Sequence, residues 1–99
     1  MNNFEIIWTF ESDLDLNEIY EFYFEKSPKV AFQLIQEIVL ETEKLVFAKQ
    51  FQLDEINPNY RRIIVRNYKV LYRLIENEIV VFAVFDCRQN PIKLKKINK

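Results

Sequence analysis

The chain has no glycine and no histidine among its 99 residues, and only one cysteine, Cys87. Without glycine, the loops that cradle phosphate and the G-x-G-x-x-G turn that seats a dinucleotide cannot be built. Without histidine, serine and cysteine triads of the usual kind and histidine-ligated zinc sites are excluded. A single cysteine makes neither an internal disulfide nor a C-x-x-C metal pair, and with no base to activate it Cys87 reads as structural. No apolar run reaches the ~18 residues of a membrane span, and no basic-then-apolar leader opens the chain. These absences point to a cytoplasmic protein with no cofactor, no metal and no membrane partner.

What is present is core material. Apolar residues make up 49% and aromatics 15%, with 29% charged and three prolines, which suits a single domain over residues 1–99 and excludes disorder. The net charge of −1 conceals a division along the chain. Through Tyr60, four Lys/Arg face twelve Asp/Glu, a balance of −8; from Arg61 onward ten face three, a balance of +7. A contrast of this size suggests that the later half meets a polyanion or an acidic partner. The competing reading is a merely solvated surface.

Periodicity supplies the elements. Phe4 to Phe10 alternates as a strand, with Phe4, Ile6, Trp8 and Phe10 on one side. Ser12, three residues before Asp15, forms a capping-box-like helix start, and acids crowd the first turn where the dipole favours them. Leu16, Ile19, Tyr20 and Tyr23 carry an apolar stripe to about Lys26. Ser27-Pro28 is a second start, a cap followed by proline at the first helical position. Ala31, Leu34, Ile35, Ile38, Leu45 and Val46 continue that helix to about Phe47, and the tight junction forces the two helices into an antiparallel hairpin. Lys49 to Asn59 is a loop ending in Asn57-Pro58-Asn59. Three strands follow, Tyr60–Arg66, Tyr68–Ile75 and Glu78–Phe85, joined near Asn67 and Asn77 by connections short enough only for hairpins. The last is apolar on both sides, as a central strand is. The expected class is α+β: an N-terminal strand and an antiparallel helix hairpin packed on one face of a small antiparallel sheet. The basic tail Lys93–Lys99 shows no period and reads as a loosely docked end.

The candidate binding residues are Arg61, Arg62, Arg66, Lys69, Arg73, Asp86 and Arg88. Strand alternation puts Arg62 with Arg66 on one face and Lys69 with Arg73 on one face of the next strand. Helices cover only one side of a sheet, so some of these cations belong on the open side, a seat for phosphate or for the acids of another chain. The alternative is pairing with Glu76, Glu78 or the acidic helices. Asp86 and Arg88 end the last strand, where side chains project into clefts, though Asp86 is equally suited to holding a nearby arginine. Tyr60 or Tyr68, if exposed, would stack on a base; the simpler reading makes the tyrosines core or interface residues.

Several segments in order carry a resemblance: the strand ending in Trp8, Asp15-Leu16-Asn17-Glu18-Ile19-Tyr20, Ser27-Pro28, Tyr68-Lys69-Val70-Leu71-Tyr72-Arg73, and Val84-Phe85-Asp86-Cys87-Arg88-Gln89-Asn90-Pro91. Across nearly the whole chain this resembles the RelE/ParE superfamily of bacterial type II toxins. The resemblance implies a small toxin wrapped and silenced by a cognate antitoxin, with operator DNA bound only through the antitoxin. It also implies one of two activities. RelE-like members cut messenger RNA on the ribosome with basic strand residues and a C-terminal arginine and tyrosine, whereas ParE-like members inhibit DNA gyrase without nucleolytic chemistry.

On the RelE pattern the catalytic candidates are Arg62, Lys69, Arg73 and Arg88. Lys69 stands where an arginine is usual, keeping charge and losing the bidentate fork. Ile64 occupies a second basic position, Gln89 another, and no tyrosine follows Tyr72. The usual ParE-like ending His-x-Arg-Arg reads Asp86-Cys87-Arg88-Gln89, so Arg88 is what survives. Cleavage by a 2′-hydroxyl needs a base, an acid and cations for the developing phosphorane charge. Arginines supply only the last, which leaves Lys69, Asp86 or a tyrosine as base. The expectation is therefore a ParE-like, plasmid-stabilisation type of inhibitor. The alternatives are a ribosome-dependent nuclease or a non-toxic member acting as a binding module.

Overall fold

The protein is described by a computed structural model covering residues 4–88. Its elements are β1 (Glu5–Trp8), α1 (Phe10–Phe24), α2 (Pro28–Glu43) with a 3-10 turn at Lys44–Phe47, β2 (Arg61–Val65), β3 (Tyr68–Ile75) and β4 (Glu78–Asp86). Residues 89–99, including Gln89, Asn90-Pro91 and the basic tail, lie outside the described residues.

The first helix begins earlier than its sequence suggests. Thr9, extended at φ −70° and ψ 162°, still donates its N–H to the Val81 carbonyl of the sheet. Its hydroxyl oxygen then accepts the Ser12 N–H at 3.2 Å, so Thr9 is the cap. Ser12, expected to be the cap, is buried inside the first turn and donates its hydroxyl back to the Thr9 carbonyl at 2.8 Å. Phe10 consequently leaves the strand face assigned to it and stands 73% exposed on α1. The second start is as expected: Ser27 accepts the Val30 N–H at 3.3 Å with Pro28 in the first turn. That helix stops at Glu43, where buried Thr42 has turned its hydroxyl to the Ile38 carbonyl at 2.8 Å and the last turn tightens.

The sheet order is β1-β4-β3-β2, so the doubly apolar β4 is central. β2, β3 and β4 form the expected antiparallel meander, but β1 runs parallel to β4, from Glu5 opposite Glu78 to Trp8 opposite Val81. The sheet is thus mixed where an antiparallel one was expected. Hairpin turns fix direction, whereas a strand joined through two helices and a loop is free to pair in parallel. A bulge near Leu71/Tyr72 leaves Phe82 unopposed, and the Val84 N–H is taken by the Asp15 carboxylate of α1 at 2.9 Å. With no glycine available, both hairpins turn through left-handed residues, Arg66 and Glu76, each at φ 56°.

The two sheet faces bury different things. Against the helices lie Val65, Tyr68, Val70, Tyr72, Ile79, Val81 and Val84, packed on Leu34, Ile38 and Leu45. On the other face a smaller cluster of Tyr60, Leu71 and Ala83 gathers Ile56, Phe82 and Phe85. The 49–60 loop therefore covers part of the face that the helices leave open. Among the described residues no helix is long and apolar enough to cross a membrane.

Candidate functional site

The open face carries Arg62 from β2 and Lys69 and Arg73 from β3, on either side of Leu71. Each is engaged by the loop. Lys69 Nζ lies 2.7 Å from Asp54 Oδ1, with Asp54 fully buried and the lysine side chain 12% exposed. The other Asp54 oxygen accepts the N–H groups of Ile56 at 3.0 Å and Asn57 at 2.7 Å. Burial works to raise the Asp54 pKa, but Lys69 and these backbone donors outweigh it and hold the carboxyl below its ordinary range. Arg62 Nε stands 3.9 Å from the same carboxylate, while the fork of Arg62 reaches Gln52 at 3.2 Å and Glu55 at 3.5 Å. Arg73 donates to the Asn59 carbonyl at 3.2 Å and lies 4.4 Å over the Tyr60 ring. Two cations, two backbone amides and one buried carboxylate make a closed anion site, and the anion is the chain's own.

The remaining candidates are elsewhere. Arg61 points to the helix side and donates to the Phe51 carbonyl. Arg66, expected beside Arg62, occupies the left-handed turn after β2, where strand alternation no longer applies. Its guanidinium grips Glu37 of α2 with bonds of 3.0 to 3.2 Å, a pairing that lowers the Glu37 pKa and raises that of Arg66. At the far end of β4, Arg88 makes a bidentate pair with Asp86 at 2.8 and 3.0 Å. Asn67 also donates to Asp86, at 3.3 Å. Arg88 is the main cause of an Asp86 pKa held down to about 2.

Beside this pair, Tyr68 donates its hydroxyl to Tyr23 at 3.4 Å. That bond and the nearby Arg88 guanidinium lower the Tyr23 pKa, and burial pushes Tyr68 well up. Tyr60 and Tyr68 are 1% and 3% exposed, so neither offers a ring for stacking on a base. Desolvation pushes the Cys87 thiol up, away from a reactive thiolate.

The candidate cations are split between two faces and two strand ends, and each has an internal partner, with Arg66 and Arg88 still more than half exposed. The residues that sequence reasoning missed are Asp54 and Glu37. Asp54 sits in a loop with no period to mark it, and Glu37 belongs to the acidic helices whose pairing with the basic strands was the competing reading. Among the described residues no cluster of His, Cys, Asp or Glu is arranged to hold a metal.

Apolar surface is what remains uncovered. Beside the outer edge of β1, an open groove of about 550 Å³ is lined by Phe4, Ile6, Trp8, Leu40, Val46 and Phe47 with Glu43 and Lys44. Leu40 and Phe47 there are 52% and 84% exposed, and Phe10, Phe22, Phe24 and Phe32 also stand out from the helices. Exposed apolar surface of this kind is typical of interaction sites.

Comparison with known proteins gives the same frame. A chain from a structure described as the chromosomal ParDE TA system from P. aeruginosa superposes with a TM-score of 0.76 at 21% identity, over 87% of this chain and 98% of that one. No curated protein matches in sequence. The family model of the ParE toxin of type II toxin-antitoxin system, parDE, matches residues 6–91. That span takes in both helices and every described strand but for the first residue of β1, and the chain belongs to the ParE toxin family of type II toxin–antitoxin systems.

Proposed function

We propose that this toxin acts in the cytoplasm by holding a protein target, DNA gyrase, without cutting RNA, and that a cognate antitoxin silences it by covering its exposed apolar surface. The observation that carries this reading is the state of the open face. A nuclease needs cations free to meet a phosphate and a base free to take a proton. Here Lys69 is committed to a buried carboxylate, Arg62 to that carboxylate and Glu55, and Arg73 to the Tyr60 and Phe82 rings and the Asn59 carbonyl. The groove beside β1 and the helix phenylalanines suit an amphipathic partner that folds as it binds.

The test is induction of the gene with and without a cognate antitoxin. The proposal expects growth arrest that the antitoxin relieves, intact transcripts, and relaxed plasmid DNA with loss of gyrase supercoiling in vitro. Ribosome-dependent cuts in messenger RNA, lost in Lys69→Ala, would overturn it in favour of the RelE-like alternative. Unimpeded growth on induction would leave a binding module.

A further inference from the structure

The two edges of the sheet are treated differently. β2 begins under the 49–60 loop, where Leu53 bridges to Arg61 and the Arg62 N–H bonds the Gln52 carbonyl at 2.9 Å, and it carries two arginines. β1, at the other edge, has neither safeguard. Its sequence is Glu5-Ile6-Ile7-Trp8, and among the described residues no strand pairs with its outer side. Sheets blunt such an edge with lysine, proline, a bulge or brevity, because unpaired backbone groups recruit another strand. Here only brevity applies, and the apolar groove that runs beside β1 works against it.

The groups left over can be named. The N–H groups of Glu5 and Thr9 donate to the Asn77 and Val81 carbonyls on the β4 side, at 3.0 and 3.1 Å. Alternation then turns the N–H and C=O of Ile6 and of Trp8 outward. A second copy laid antiparallel, with its Trp8 opposite Ile6 and its Ile6 opposite Trp8, uses all of these groups on both copies. One two-fold axis, perpendicular to the sheet and passing between the two Ile7 residues, generates that register. The axis keeps both helix layers on one side, so the groove of about 550 Å³ beside each β1 opens onto that of the other. Charge favours the same occupant. The charged residues in the groove, Glu43 and Lys44, are one of each sign, and the whole chain carries −1. A strongly acidic or basic partner gains little there, whereas two copies of the chain meet without net repulsion. Exposed Leu40 and Phe47 on the helix side, and Ile7 on the other, are the apolar surface that such pairing covers.

We propose that the free toxin pairs with a second copy of itself, β1 against antiparallel β1, to make one continuous sheet from two four-stranded ones. The inference goes beyond the toxin–antitoxin reading and does not rest on it, since it concerns the chain before any antitoxin is present. Where an amphipathic partner uses the same groove, the pair must open first, so self-association and silencing compete for one surface.

The experiment uses the whole chain without antitoxin. Sedimentation equilibrium at micromolar concentrations is expected to give twice the 12.1 kDa of one chain. Phe47→Glu, at a ring that stands clear of the core, is expected to weaken the association by about tenfold or more with an unchanged far-UV circular dichroism spectrum. Because Cys87 is a free, exposed thiol, the cross-linking variants carry Cys87→Ser. In that background Ile7→Cys is expected to oxidise to a disulfide-linked dimer, since a non-hydrogen-bonded antiparallel pair brings Cα atoms to about 4.5 Å, within disulfide reach. Glu5→Cys is the control, about 13 Å from its counterpart in the same register. A monomer in sedimentation, or a dimer in which Ile7→Cys cross-links no better than Glu5→Cys, would overturn the pairing. Exchange of the Ile6 and Trp8 amides that slows only when a cognate antitoxin is added would also overturn it and give the edge to the antitoxin. None of these failures touches growth arrest on induction, which tests the toxin reading separately.

Discussion

Removing the carboxylate of Asp54 is expected to be among the most damaging single changes available in this chain. Asp54 is fully buried and serves Lys69 through one oxygen and two backbone N–H groups through the other. In Asp54→Ala the lysine ammonium, only 12% exposed, loses its counter-charge and both amides lose their acceptor. Breaking a buried pair from one side costs about 3–5 kcal/mol, against a total stability of about 5–15 kcal/mol for a domain. Lys69→Met is milder, about 2 kcal/mol, because the remaining carboxylate keeps both amides and has Arg62 at 3.9 Å. The double variant Asp54→Ala/Lys69→Met is expected to be more stable than Asp54→Ala alone by about 1–2 kcal/mol, since no unpaired ammonium stays buried. Urea denaturation of the four proteins, followed by far-UV circular dichroism, gives each value from midpoint and slope. An Asp54→Ala cost below about 1 kcal/mol, or strict additivity in the double variant, would refute the idea that this carboxylate locks the loop to the sheet.

Three further outcomes follow from the same structure. Asp15→Ala is expected to cost about 1–2 kcal/mol by stripping the Val84 N–H of its acceptor, measured by the same denaturation series. Glu76→Gly is expected to raise stability by up to about 1 kcal/mol, because relief of the left-handed backbone exceeds the extra freedom glycine gives the unfolded chain; a lower melting temperature would contradict this. Stability should also fall at both ends of the pH scale. Asp54 and Asp86 have folded-state pKa values below their ordinary 3.8, with Asp86 near 2, so their contribution is complete above pH 3.8 and is lost as pH falls through that range. Tyr72, pushed by burial from 10.0 to about 12, stabilises fully below pH 10 and loses its contribution as pH rises through 12. A melting temperature flat from pH 7 down to 2, or from 9 up to 12, would contradict the corresponding assignment.

The fold was largely legible because its signals are local. Ser27-Pro28 marks a helix start by its own chemistry, and the apolar run of β4 identifies a strand covered on both sides. The errors arose where a local pattern met a competing one. Phe10 continues the alternation of β1, yet the oxygen of Thr9 has already turned the chain into α1. Arg66 continues the period of Arg62, yet the strand ends at Val65 and the turn redirects its side chain to Glu37. Parallel pairing of β1, the bulge at Phe82 and the burial of Asp54 depend on residues far apart in sequence, where no short-range pattern reports them. The charge division was real in composition but misleading as to availability, since it gives the sign of each group and not its partner.

Among the described residues, the pairing of β1 with β4 joins strands that lie on either side of every other element in the sequence. A growing polypeptide makes β1 and both helices long before the strand they pack around exists, and until then their apolar stripes have no sheet to rest on. Contacts so distant along the chain close late and slow the search for the native state. A ribosome that stalls before β4 therefore releases no centre strand and no finished face, and the poison is assembled only when that strand arrives.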